Sequence, residues 1–196
     1  MTTTNYIIRK ASEKDLTQIR QLQESTHYNN VSESDKEKEG FVSVESDIPL
    51  LRVINKDIGI LVAEANGKVV GYEMPLGLEH TAQIPLLDPF VKRFIKLNYD
   101  GQKIGEYKWV IEGQINVNMA YKGEGIAEAL HKNFIDMLRG KYEIVVTEIS
   151  DKNPRSLNVH TKKLGMSVID TYQAKGRKWY VLLQDIREKV ISPKPC

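Results

Sequence analysis

Residues 115–134 read Ile-Asn-Val-Asn-Met-Ala-Tyr-Lys-Gly-Glu-Gly-Ile-Ala-Glu-Ala-Leu-His-Lys-Asn-Phe, and they constrain the chain more than any other stretch. A strand pattern ends there, a helical one begins, and two glycines stand at the joint. Upstream, from Ile111 to Val117, apolar and mostly polar side chains alternate, as in a strand with two unlike faces. Downstream, Ile126, Ala127, Leu130, Phe134 and Leu138 recur at helical spacing, and Gly140 after Arg139 is a C-terminal stop. The joint therefore aims a helix N-terminus at the end of a strand.

The first N–H groups of a helix lack internal partners and, with the helix dipole, favour a bound anion such as phosphate. Gly123 and Gly125 let ligand oxygens approach the main chain, and Lys122 adds a positive charge at the rim. A P-loop would need Gly-Lys-Ser/Thr closing a longer loop, but Gly125 is followed by Ile126 and Ala127. A dinucleotide fingerprint would need a third glycine where Glu128 stands, and an early position in the chain.

The 196 residues fit one domain, expected over residues 5–184 with a tail over 185–196. The only cysteine is Cys196, and four scattered histidines do not suggest a zinc centre, so no metal is expected. No apolar run reaches the length of a membrane span and residues 1–10 lack a signal-peptide core, which makes a cytoplasmic location the expectation. Net charge is +2, divided as −2 over residues 1–98 and +4 over residues 99–196. That excess accompanies the anion-binding joint but is too small to suggest nucleic acid or membrane as partner.

In chain order, residues 6–10 read as a strand, and Ser12 with Asp15 opens a helix that continues to about Glu24. Residues 25–40 are polar and charged, and a solvated connection is the preferred reading over a short helix. Residues 41–44 could extend the chain into a site. Asp47 and Pro49 begin a short helix. Asn66 and Gly67 between two apolar runs mark a hairpin. Within residues 75–106 a helix is expected from about Asp88 to Asn98, and the segment reads equally as an acceptor-site wall or as a patch over the sheet edge. Residues 142–149 form a strand rich in β-branched residues, parallel to Trp109–Val117 because a helix crosses between them. A helix starts near Asn153, with Pro154 at its first position, and ends at Gly165. Residues 168–171 and 178–183 close the sheet.

Residues 121–127 resemble the pyrophosphate-binding turn of the GNAT acetyltransferase superfamily, with Ala120 standing where that pattern has Arg or Gln. Asn153, Ser156, His160 and the run Lys163, Leu164, Gly165, Met166 resemble its second signature, with Met166 in place of Phe. Thr147, Glu148, Ile149 and Ser150 ahead of them are similar to a bacterial subgroup of unassigned substrate. The resemblance implies an α/β (α+β) fold: a mixed, mostly antiparallel sheet containing one parallel, splayed pair of strands and flanked by helices. It also implies acetyl-coenzyme A as cosubstrate and direct transfer of the acetyl group to an amine of a small molecule or peptide. A homodimer is left open.

The residues that match the superfamily's cofactor contacts are Ile115, Asn116, Val117, Lys122, Gly123, Glu124, Gly125, Ile126, Ala127, Asn153, Ser156 and Asn158. An alkyl amine with a pKa near ~10.4 is mostly protonated at neutral pH, so a base is needed. Glu112, expected on the polar face of its strand beside Gln114, is the first candidate, against a plain sheet-surface charge; Glu148 is the reserve. Many relatives place a proton-donating Tyr where this chain has Thr161, which leaves His160 or Tyr172 to protonate the thiolate. For His160, helix packing is an equal reading. The other functional class is an acyl-coenzyme A sensor that kept the fold without the chemistry.

Overall fold

The computed structural model describes residues 5–188. The first half runs β1 (Ile7–Lys10), α1 (Asp15–Thr26), α2 (Glu33–Glu39), α3 (Ile48–Asp57), β2 (Leu61–Ala65), β3 (Lys68–Leu76), α4 (Leu78–Thr81) and α5 (Asp88–Phe94). The second runs β4 (Asn98–Tyr99), β5 (Gln102–Lys103), β6 (Trp109–Val117), α6 (Ile126–Leu138), β7 (Ile144–Ser150), α7 (Pro154–Lys162), β8 (Ser167–Ala174) and β9 (Arg177–Asp185). Seven strands form one sheet in the order β1-β2-β3-β6-β7-β9-β8, and only β6 and β7 are parallel. This is the mixed, mostly antiparallel sheet with one parallel pair that the resemblance implied.

Each face of the sheet buries its own core. Leu16, Ile19 and Leu22 of α1, Leu51 and Ile54 of α3, and Phe90 and Phe94 of α5 pack on one face, against Tyr72, Met74, Ile111 and Val146. Ile126, Leu130, Phe134 and Leu138 of α6 cover the other, against Val70, Val110 and Val145. Their four-residue spacing puts the α6 side chains on one stripe. Ser12 donates its N–H and its hydroxyl to Asp15 Oδ2 at 2.6 and 2.7 Å, but the helix begins after Lys14 with no side-chain cap, so Ser12 precedes α1 rather than capping it.

A bulge in β6 decides where the site's side chains point. Met74 stands opposite Gln114 and Pro75 opposite Glu112, so Gly113 is the extra residue. Pro75 has no N–H to give the ladder there, and a Cβ on Gly113 would lie 2.7 Å from Leu76 Cγ. The bulge shifts the alternation by one residue. Ile111, Gln114 and Asn116 face α1, where Gln114 binds Gln23 and Asn116 binds Thr26. Val110, Glu112, Ile115 and Val117 face α6 and α7. Glu112 and Gln114 were expected on one polar face; the bulge separates them onto opposite faces.

Two connections also differ from expectation. Residues 25–40 contain α2, capped by Ser32, and its C-terminal residues Glu39 and Gly40 wall a cleft rather than run free in solvent. Within residues 75–106 the expected helix is shorter, ending at Phe94, and the β4–β5 hairpin turns at Asp100 and Gly101. Phe90 of that segment is buried in the core, and Leu86, Leu87 and Pro89 border a cavity. At the other end β9 reaches Asp185 and Ile186 is buried, so the packed body runs past Gln184; residues 189–196 of the expected tail lie outside the described residues.

Candidate active site

The parallel pair is short. Trp109, Val110 and Ile111 align with Ile144, Val145 and Val146, and beyond them the ladder ends. The Thr147 hydroxyl donates to the Glu112 carbonyl at 2.9 Å, closing the seam just where the strands part. Two cavities open at that gap, sharing Phe41, Val42, Ile115, Asn153, Ser156 and His160 as walls. Residues 41–44 thus do extend into the site, as their position suggested.

The first cavity runs along Ile115, Asn116 and Val117 to Lys122, Gly123, Gly125, Ile126 and Ala127. Gly123 and Gly125 have φ of +88° and +77°, a region where L side chains are strained, and an added Cβ would meet nothing within 4 Å. Their main chain therefore borders open space at the start of α6, whose first amides have no acceptor within the helix. This turn suits an anion with several oxygens. Asn153 and Ser156 face it from α7.

Some expected contacts are placed differently. Asn158 is exposed and lines neither cavity; it lies two helical residues beyond Ser156, about 200° around the axis, whereas His160 at four residues returns to the same side. The side chain of Glu124 does not line the cleft either, leaving only its main chain between the glycines. The Asn116 side chain is committed to Thr26 Oγ1 at 2.7 Å, so only its backbone is offered. Asn153 caps α7 by accepting from Ser156 N and donates to Phe41 O at 2.9 Å, which ties the loop to the helix. Lys122 is half-buried and already engaged: its Nζ donates to Glu39 O at 2.5 Å and lies 3.1 Å from the Glu39 carboxylate.

His160 stands between the two cavities. Its Nδ1 lies 2.7 Å from Ser156 O, which can only accept, and its Nε2 lies 2.9 Å from Glu112 Oε2. With acceptors at both nitrogens the ring is held as imidazolium. Burial pulls its pKa down, but the Glu112 charge and hydrogen bond outweigh that and hold it above the ordinary imidazole range. Thr161 is spent within the helix, its hydroxyl donating to Leu157 O at 2.8 Å.

On the other face of the sheet, Glu148 lines the second cavity with Tyr172 and Trp179. Burial raises the Glu148 pKa to about 7, and the Tyr172 hydroxyl, which donates to Glu148 Oε2, only partly offsets this. The gap therefore has an imidazolium on its α7 side and, on the α5 side, a carboxyl group that titrates near neutrality. Reading the sequence missed Arg155 in the first cavity and Phe90 and Trp179 in the second. Arg155 follows Pro154 in the first turn of α7, a local signal that was available; Phe90 and Trp179 reach the cavity through tertiary folding alone. Among the described residues no group of three or more His, Cys, Asp or Glu could hold a metal ion, and no helix is long and apolar enough to cross a membrane.

The model of the acetyltransferase (GNAT) family matches residues 16–166. No curated protein matches the sequence. Among solved structures, an N-acetyltransferase from Staphylococcus aureus Mu50 superposes with a TM-score of 0.63 at 17% identity, covering 93% of this chain and 99% of that one. The Salmonella typhimurium protein yncA, solved with its cofactor acetyl-CoA, gives 0.62 at 18% identity, covering 98% and 100%. The Escherichia coli ribosomal-protein-S18-alanine N-acetyltransferase gives 0.60 at 11% identity, covering 98% and 99%. At such identities these likenesses establish a shared fold.

Proposed function

The chain belongs to the acetyltransferase (GNAT) family, and from that premise we propose that it moves an acetyl group from acetyl-coenzyme A directly to a primary amine. The observation that carries this reading is the open turn at Gly123 and Gly125, at the head of α6 and beside strands that part after Ile111 and Val146. In this reading the amides of residues 123–127 hold the pyrophosphate, with Lys122 and Arg155 at its rim. Ile115, Asn116 and Val117 are paired with β3 on one side but have no strand partner on the β7 side, where the main chain offers strand-like hydrogen bonds to the pantetheine arm, and a backbone N–H near Val117 meets the developing oxyanion.

The two sides of the gap divide the proton transfers. Glu148, tuned near the operating pH, receives the proton that an ammonium must shed before its nitrogen can attack. As the N–C bond forms and the C–S bond breaks, His160 gives a proton to sulfur and the second proton shed by nitrogen replaces it on the ring. Glu112, first choice as base from the sequence, is held by His160 and serves instead to keep that ring charged. Thr161, bonded within its helix, motivates the competing reading of a binding protein without chemistry.

Calorimetry with coenzyme A, followed by thiol release from acetyl-coenzyme A with a panel of amines, tests the proposal. Binding with amine-dependent release supports it; binding without release from any amine favours the sensor; absence of binding removes both.

A further inference from the structure

The second cavity is a built site with a chemistry of its own. Its apolar walls come from three separate segments: Val42 and Val44, Leu87 and Phe90, and Trp179 of β9. Val44 is tied down by the Gln114 amide, which donates to its carbonyl, and Phe90 is anchored in the core at 1% exposure. These walls are held in place by the fold, so the cavity is bordered by fixed surfaces.

Its inward charged groups are Glu148 and the paired Glu112 and His160. Glu148 lines it, as does Glu112, which is 2% exposed and whose Oε1 is buried with no hydrogen-bond partner. Among the described residues that line it, Lys175 is the one lysine or arginine, and it is exposed on the turn between β8 and β9. Arg93, which stacks over the Tyr172 ring, is occupied by Asp170 at 2.6 and 2.8 Å. The His160 imidazolium also lines the cavity, but Glu112 already matches its charge at 2.9 Å, so a ligand carboxylate or phosphate would meet the Glu148 carboxyl and no unpaired inward cation. A second ammonium, away from the glutamates, would lie against apolar side chains without a partner.

We propose that the acceptor is a primary monoamine on an apolar or aromatic body, carrying no carboxylate or phosphate, bound in this cavity with its nitrogen at Glu148. This rests on the acetyl-transfer reading and narrows it to one substrate class. The apolar body supplies the binding energy by leaving water, while the acidic floor selects the cation.

The test is thiol release from acetyl-coenzyme A by the unaltered protein with 2-phenylethylamine, ethylamine, phenylalanine and spermidine. Phenylalanine carries the same ring plus a carboxylate, ethylamine lacks the body, and spermidine adds further charges. The expected result is a kcat/KM for 2-phenylethylamine at least ~30-fold above that for each of the others. Trp179→Ala should shrink the ratio of 2-phenylethylamine to ethylamine at least several-fold; an unchanged ratio would count against the wall. Equal or better turnover of phenylalanine, spermidine or ethylamine overturns the proposed class and leaves acetyl transfer standing. Coenzyme A binding without release from any amine overturns the acetyl-transfer reading, and this proposal with it.

Discussion

His160 Nε2 lies 2.9 Å from Glu112 Oε2, so a residue of α7 reaches β6 across the gap where β6 and β7 part. The carboxylate raises the pKa of the ring. Replacing Glu112 with Gln should lower it, so the acidic form of His160 is lost at lower pH. The alkaline limb of kcat against pH should then move to lower pH. His160→Gln should reduce kcat by about 10²-fold, typical for loss of a proton-transfer group, with coenzyme A affinity changed little by calorimetry.

Glu148 must be ionised to accept a proton, and burial places its pKa at about 7. Activity should therefore rise as pH passes through 7, and Glu148→Gln should lower kcat/KM for amines by about 10² to 10⁴ and remove that limb. A stability effect of defined sign accompanies it. The folded pKa lies above the ordinary 4.5, so the folded state binds more protons than the unfolded chain and loses stability as pH rises from about 4.5 through about 7. Thermal melting should show Glu148→Gln gaining stability relative to the unaltered protein at pH 8 but not at pH 4.

Lys122 is bonded to Glu39 before any ligand arrives. A carboxylate at that position competes with phosphate oxygens for the same cation. Glu39→Gln should tighten coenzyme A binding several-fold and Lys122→Ala should weaken it, both read by calorimetry at fixed ionic strength because exposed charges are screened by salt. If Glu39→Gln weakens binding instead, Glu39 helps to hold the ligand rather than competing with it.

At Gly125 an added methyl has room but the backbone angle is strained. Gly125→Ala should cost about 1 kcal/mol of stability. Gly113→Ala meets the opposite difficulty: its Cβ would press on Leu76 from 2.7 Å, with an expected loss of about 1–3 kcal/mol. Denaturant unfolding measures both. Because the bulge aims Glu112, the Gly113 variant should also lose activity out of proportion to its stability, when assayed well below its melting temperature.

The turn at residues 121–127 and the start of α7 were legible because each is written in adjacent residues: glycines at positive φ, an Asn cap, a Pro in the first turn. The direction of Glu112 was not legible. Alternation along β6 placed it with Gln114, and the phase shift exists only in the pairing of Gly113 against Met74 and Pro75 of another strand. Asn158, which the resemblance implied together with Ser156, stands about half a helical turn away from it and is exposed, a difference that only the helix geometry reveals. The second cavity was least visible, because Val44, Phe90 and Trp179 lie far apart in the chain and meet only after folding.

The seam between β6 and β7 spans three residue pairs, whereas β3 with β6 and β7 with β9 are matched along most of their lengths. The sheet is thus two well-knit wings stitched along a brief central suture. A ligand arm lying along residues 115–117 would take up hydrogen-bonding groups that a neighbouring strand satisfies elsewhere. The occupied protein should resist amide hydrogen exchange in the C-terminal part of β6, and the cosubstrate would act as a surrogate strand that extends the suture.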